Sequence, residues 1–203
     1  MCDCLPSAAV PATSRRRLLG GAAAFAALAS GADAFAADTP LPDNRIGGDA
    51  ALQRLVQGNL RYSQGRQTQR DFSVGRVART SGQKPFAAIL ACADSRVAPE
   101  LAFDQGPGDL FVVRLAGNFV NDDGIASMEY AAKFLDVPLI MVLGHSNCGA
   151  ISATIKVLQE NAVLPGHLPG LVASIRPAVE AASRREPASL LQAATEQNVR
   201  QSV

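Results

Sequence analysis

The sequence has little of what nucleic-acid-binding proteins use. None of its 203 residues is tryptophan, only two are tyrosine, and the formal net charge is +1. Such proteins need a basic surface to neutralise phosphates and aromatic rings on which bases stack. We therefore expect no nucleic-acid partner. Hydrophobic residues make up 48% of the chain, which is enough for the core of one globular domain.

Cysteine is also scarce, with four in the whole chain. Cys2 and Cys4 lie in a segment that we expect to be removed, which leaves Cys92 and Cys148. Two thiols cannot form the disulfide framework that is typical of small exported domains. A single bond between Cys92 and Cys148 remains an alternative to a metal site, because exported chains often pair their thiols.

The amino-terminal segment contains an apolar run, residues 20–30, that is too short and too weakly apolar for a stable membrane span. Three arginines precede the run at residues 15–17, and a small-x-small cleavage pattern follows it at residues 34–36. These features predict that residues 1–36 are a twin-arginine export signal, which directs the protein to the periplasm. A disordered alanine-rich tail or a mitochondrial-type presequence is the alternative.

The rest of the chain is predicted to be a linker, residues 37–48, and one domain, residues 49–203. Three short apolar runs at residues 86–91, 110–115 and 139–143 predict strands, and helical patterns lie between and after them. This alternation predicts an α/β fold with a central, mostly parallel sheet flanked by helices. An amphipathic helical arm, capped by Asp49, is predicted ahead of the first strand.

Chemically demanding side chains follow the first and third predicted strands. Cys92, Asp94 and Arg96 occupy alternate positions after the first, and His145 and Cys148 lie three residues apart after the third. Because parallel strands end at the same edge of a sheet, we expect these groups to meet there. Two thiolates and an imidazole, with a fourth position open, are typical of a catalytic zinc site.

Asp94 has two possible places in such a site. It can be the fourth zinc ligand, or it can pair with Arg96 and leave the fourth position to water. The two arrangements would make the Asp94–Arg96 pair a gate between a closed and an open site. An ordinary salt bridge that stabilises the loop is the alternative interpretation.

These motifs together resemble those of the β-class carbonic anhydrases. The resemblance runs from about residue 51 to residue 203, and also includes Phe111-Val112-Val113-Arg114 and Ala116-Gly117-Asn118. It implies a carbonate dehydratase, a lyase that reversibly hydrates carbon dioxide to bicarbonate and a proton through zinc-bound hydroxide. It also implies a homodimer or a larger homo-oligomer.

The resemblance assigns roles to the five residues after the strands. It makes Cys92, His145 and Cys148 the permanent ligands of one zinc ion per chain. It makes Asp94 and Arg96 catalytic, with Asp94 either a fourth metal ligand or, when paired with Arg96, the acceptor that orients the zinc-bound hydroxide.

Two features depart from the family pattern. Some members place a substrate-binding glutamine immediately before a Pro-Gly turn, whereas here Gly106 intervenes and Gln105 is one position earlier, so Gln105 is either a substrate contact or a turn residue. The last strand of the usual fold is also missing from the sequence. A related hydrolase of carbon disulfide or carbonyl sulfide, and a non-catalytic zinc-binding remnant, therefore remain alternatives.

Overall fold

The computed structural model describes Leu41 and residues 43–203, so the predicted export signal lies outside the described residues. Helix α1, Gly48–Ser63, forms the predicted arm and buries one face, including Leu55. Its N-cap is Gly47 and makes no side-chain cap hydrogen bond, so the prediction that Asp49 caps the helix is wrong. Asp49 lies instead in the first turn, where a negative charge is favourable beside the helix dipole.

Three parallel strands form the sheet: β1, Ala87–Ala91; β2, Leu110–Arg114; and β3, Ile140–Leu143. Their order is β2-β1-β3, so the first strand is central and every one of its residues is buried. A strand covered on both faces is expected to be a continuous apolar run, as this one is. The register places the last residue of β1, Ala91, beside Arg114 and Leu143.

Helices connect and follow the strands. Between them lie α2, Pro99–Ala102, and α3, Asp122–Phe134, and after them come α4, Gly149–Glu160, α5, Leu168–Ser183, and α6, Leu190–Gln201. Each predicted helix and strand is present, with ends shifted by a few residues. The α/β fold prediction is therefore confirmed. None of the described helices combines the length and the hydropathy that a membrane crossing requires.

Apolar side chains pack in three groups. One joins α1 to a face of the sheet through Leu55 and Ile89, and another joins α3 to the opposite face through Met128 and Leu90. The third lies beyond the strand ends and is built largely from α4, α5 and α6. Cys92 and Cys148 belong to this third group, so the protein's own core surrounds both thiols.

Candidate metal centre

Three side chains converge where the strands end. Cys92 directly follows β1, His145 lies in the loop after β3, and Cys148 is the N-cap residue of α4. Their Sγ and ring nitrogen atoms all lie within 4.8 Å of one another. The parallel sheet thus brings together the three residues that the sequence predicts as permanent ligands, and their role as ligands stays a prediction.

The donor set fits a tetrahedral zinc ion. The two sulfur atoms are 3.9 Å apart, and two thiolates bound to one tetrahedral zinc at ordinary bond lengths lie about 3.8 Å apart. Both of these cysteines are free thiols, and their separation is too long for a disulfide, which needs about 2.05 Å between sulfurs. The geometry therefore favours the metal site over the alternative of a disulfide.

One ring nitrogen of His145 is within hydrogen-bonding distance of a backbone oxygen, and the other has no hydrogen-bond partner among the described residues. Nδ1 lies 3.0 Å from the backbone oxygen of Ser146, which places the proton on Nδ1 when it donates to this carbonyl. Nε2 is buried and has no hydrogen-bond partner among the described residues, and the side chain is only 7% exposed. A metal-binding histidine commonly has this arrangement, because the hydrogen bond made by the nitrogen that does not bind the metal fixes the tautomer and the orientation of the ring.

The two thiols are in contact and shift each other's pKa in opposite directions. A hydrogen bond from Cys148 lowers the pKa of Cys92 to about 4, and the backbone N–H of Gly117 also donates to this sulfur, at 3.2 Å. The same contact with Cys92, together with burial, raises the pKa of Cys148. A metal ion that binds both sulfurs would displace the proton of Cys148, whose pKa is raised.

Asp94 is held by Arg96 in this structure. Its carboxylate accepts hydrogen bonds from Nε and Nη2 of Arg96, at 2.8 Å and 2.7 Å, and one from the backbone N–H of the same residue, at 3.0 Å. These hydrogen bonds hold the pKa of Asp94 well below its usual range, so the carboxylate is ionised. Its Oδ2 is 3.8 Å from Nε2 of His145, and it is not part of the three-residue donor group. Asp94 is thus paired with Arg96 in this structure, and its role beside a metal ion stays a prediction.

Arg114 is a site residue for which the sequence analysis assigned no role. At the end of β2, its guanidinium donates to the backbone oxygens of Cys92, at 2.9 Å, Asp94, at 2.5 Å, and Val97, at 3.3 Å. One side chain therefore ties together the loop that carries the Cys92 thiol and the Asp94 carboxylate. The sequence did contain a signal for this role, because Arg114 is a positively charged residue at the end of an apolar strand. The structure pairs it with Ala91, the last residue of β1.

Gln105 lies elsewhere in the chain's own fold. It precedes β2, on the side of the sheet where the strands begin, whereas Cys92 follows β1 where they end. Its side chain is buried, accepts from Nε of Arg54 at 3.0 Å and donates to the backbone oxygen of Phe103 at 2.6 Å. Both ends of the amide are thus occupied within the subunit, and contact with substrate stays a prediction.

A cleft of about 830 Å³ borders the donor group on the side of His145. The loop of residues 144–147 forms one wall, and α6 forms the other with Leu191, Thr195 and Val199. Of the three donors, His145 lines this cleft, and the two cysteines do not.

Comparisons with known proteins agree with this geometry. A family model described as carbonic anhydrase matches residues 87–203. Carbonic anhydrase 2 of Mycobacterium tuberculosis is 44% identical over 131 residues, which are 64% of this chain and 63% of that protein. The carbonic anhydrase of Mycolicibacterium smegmatis is 43% identical over 131 residues, covering 64% of each chain. The chain thus spans a little under two thirds of the length of these relatives.

A solved structure shows the same arrangement of elements. The β-carbonic anhydrase of Coccomyxa, solved in complex with acetazolamide, superimposes with a TM-score of 0.57 at 30% identity, covering 64% of this chain and 61% of that one. The matched region contains the strands, the loops after them and the helices that follow. With its three converging donors placed at the ends of a parallel sheet, this chain belongs to the β-class carbonic anhydrase family.

Proposed function

We propose that this protein reversibly hydrates carbon dioxide to bicarbonate and a proton, with one zinc ion held by Cys92, His145 and Cys148. The observation that carries the proposal is the separation of 3.9 Å between two buried thiols beside an imidazole with a free, buried nitrogen. Family membership supports the same reaction.

The chain's own residues prepare the site for this chemistry. When bound, zinc supplies a Lewis acid that activates water near neutral pH. Arg96 holds the Asp94 carboxylate in a bidentate ion pair, which would keep this carboxylate off a bound zinc ion. Because Asp94 remains ionised, it accepts a hydrogen bond and can orient a reacting group beside His145. The carbonyl of Ser146 fixes the histidine ring.

The test combines metal content with carbon dioxide hydration. Zinc-loaded protein is mixed with carbon dioxide in a stopped-flow instrument, and proton release is followed with a pH indicator at pH 8 to 9. We expect one zinc per chain and turnover that falls on Asp94→Ala substitution. Zinc binding without turnover, unchanged by Asp94→Ala, would favour a non-catalytic remnant. Faster turnover of carbon disulfide or carbonyl sulfide than of carbon dioxide would favour the related hydrolase.

We propose further that a second copy of the chain covers part of α1. Leu52, Val56 and Leu60 follow one another at helical spacing, and all three are exposed, Val56 by 59%. An apolar stripe of this kind on a helix commonly marks an interface. Sedimentation should show a dimer or larger assembly that Val56→Lys weakens. Gln57→Lys adds the same charge at the neighbouring position and should not weaken it, and a wild-type monomer would refute the interface.

Export through the twin-arginine route is also proposed. Its support is the run of arginines at residues 15–17, the apolar run after it and the cleavage pattern at residues 34–36. This route carries folded proteins, which suits a thiolate site that must bind metal before it meets an oxidising compartment. Residues 1–36 fused to a reporter should direct it to the periplasm, and replacing Arg15 and Arg16 by lysine should abolish export. Arg17→Lys is the control.

A further inference from the structure

The last helix contacts the loop that carries His145 and also the turn after β2, whose backbone donates to the sulfur of Cys92. Asn198 and Val199 are consecutive on α6. The Nδ2 atom of Asn198 donates to the backbone oxygen of Gly117 at 2.7 Å, and a Cβ on Gly144 would lie 2.6 Å from a methyl carbon of Val199. Gly144 directly precedes His145. Adjacent residues of one helix therefore contact the turn beside Cys92 and the loop that contains the imidazole.

Gly117 is the link between this helix and a thiol. Its backbone N–H donates to Sγ of Cys92 at 3.2 Å, while its carbonyl accepts from Asn198. Its φ of +88° is a conformation that other residues rarely adopt, and a Cβ here would lie 2.5 Å from Cδ1 of Ile175. The turn therefore depends on glycine. Its backbone is held by a hydrogen bond from the N–H of Asn118 to the oxygen of Leu115 at 2.9 Å, and by a contact from outside the turn, the hydrogen bond from Asn198.

Asn198 supplies that contact from a position where packing does not require a polar group. The residue is 2% exposed, and Ala194, one helical turn earlier, is fully buried and apolar. A buried amide loses water and lowers helix propensity relative to an apolar residue such as leucine, so its hydrogen bond must offset both costs. The described structure gives its Nδ2 the carbonyl of Gly117 as a partner.

We propose that Asn198 is a positioning residue of the metal centre. By binding the Gly117 carbonyl, it restrains the backbone of the turn whose N–H donates to the Cys92 sulfur. A hydrogen bond to a thiolate withdraws charge from the sulfur and limits its movement, so it tunes the strength of the metal–sulfur bond. The inference rests on the proposed function in one respect, because it requires Cys92 to be a metal ligand.

The test measures metal binding rather than turnover. Asn198→Leu keeps a similar volume without a donor, and Asn198→Asp keeps the shape but can only accept. Zinc affinity is measured by competition with a chromophoric chelator, and the cobalt-substituted protein is examined for its sulfur-to-cobalt charge-transfer band. We expect affinity to fall about 10-fold in both variants, as for other outer-shell partners of metal ligands. The band should move to longer wavelength, because a sulfur that loses a hydrogen bond is a stronger electron donor.

Ser202→Ala is the matched control. It removes a hydrogen bond of 2.9 Å from the Ser202 hydroxyl to the backbone oxygen of Asn198, yet leaves the amide in place. This control should keep the wild-type affinity and band. The proposal is overturned if the folded Asn198 variants bind zinc within about twofold of wild type with an unshifted band. It is also overturned if neither variant folds, because the amide would then serve helix packing.

The outcomes separate this inference from the proposed reaction. If wild-type protein binds zinc but does not hydrate carbon dioxide, the proposed reaction fails, and the comparison of affinities still decides the role of Asn198. If wild type is active and the variants bind metal normally, the reaction stands and only the positioning role is lost.

Discussion

The guanidinium of Arg96 donates two nearly parallel hydrogen bonds to the carboxylate of Asp94, from Nε at 2.8 Å and Nη2 at 2.7 Å. The same Nη2 reaches the backbone oxygen of Asn147 at 3.1 Å, in the loop between His145 and Cys148. Arg96 therefore connects the carboxylate after β1 to the loop after β3. Paired charges with this fork geometry are stronger and more directional than single hydrogen bonds.

Arg96→Ala should leave zinc bound but reduce turnover. Without its partner, Asp94 is free to take the open metal position, and we expect the carbon dioxide hydration rate to fall about 100-fold, the size of effect that one positioned polar group contributes. Arg176→Ala is the control, since Arg176 forms an exposed ion pair of 3.7 Å with Glu180 on α5. Wild-type turnover in Arg96→Ala would refute the hypothesis that Arg96 keeps Asp94 off the metal ion.

Cys148→Ser should lose most of the bound zinc. A serine hydroxyl remains protonated near neutral pH and is a poor zinc ligand, and the remaining thiol and imidazole supply only two donors. Metal content after dialysis, measured by atomic emission, should fall well below one ion per chain. Stoichiometric zinc in the folded variant would contradict the assignment of Cys148 as a ligand.

Arg114→Met should destabilise both the fold and the metal centre. The substitution keeps an unbranched side chain but removes the donors to the carbonyls of Cys92, Asp94 and Val97. We expect a loss of about 2 kcal/mol in the free energy of unfolding, the scale of hydrogen bonds from a charged donor. Urea unfolding and chelator competition measure the two effects. Arg114→Lys keeps the charge without the fork and should rescue only part of each, whereas full rescue would show that charge alone matters.

Asp104 should make the free energy of unfolding fall as the pH is lowered. The residue is 2% exposed and forms ion pairs of 2.5 Å with both Arg61 and Arg70. Burial alone would raise its pKa, but hydrogen bonds from Arg70, Arg61 and Thr68 outweigh burial and hold the pKa below its usual range. The unfolded chain therefore binds this proton more readily than the folded one. The stabilisation is complete above the unfolded pKa of about 4 and is lost as the pH falls toward the folded pKa.

The test compares Asp104→Asn with wild type at two pH values. At pH 7 the variant leaves two arginines without their carboxylate, and we expect urea unfolding to show a loss of about 3 kcal/mol. At pH 3 the difference should shrink, because Asp104 is largely protonated in the unfolded wild-type chain and folding must then release that proton. A difference that is equal at both pH values would show that the ion pairs do not carry the stabilisation.

Some of the site could be predicted because it depends on the order of residues along strands. Cys92 and His145 follow separate apolar runs, and parallel strands that end at one edge must bring such residues together. The predicted start of α1 was wrong by contrast. The N-cap residue is Gly47, in an extended conformation, and the acidic residue Asp49 suits the first turn as well as it suits the cap. Local preferences allow both placements, so helix ends are the less certain part of a prediction.

The sequence by itself determined the α/β fold and the convergence of two thiols and an imidazole, because alternating apolar runs admit one simple parallel sheet. Only the tertiary structure showed the ion pair of Asp94 with Arg96, and the hydrogen bonds from Arg114 and Asn198 to the loops around the donors. The hydrogen bond from Asn198 to Gly117 joins residues 81 positions apart. Such contacts depend on how helices pack after the strands are in place, and no local pattern of residues encodes that distance.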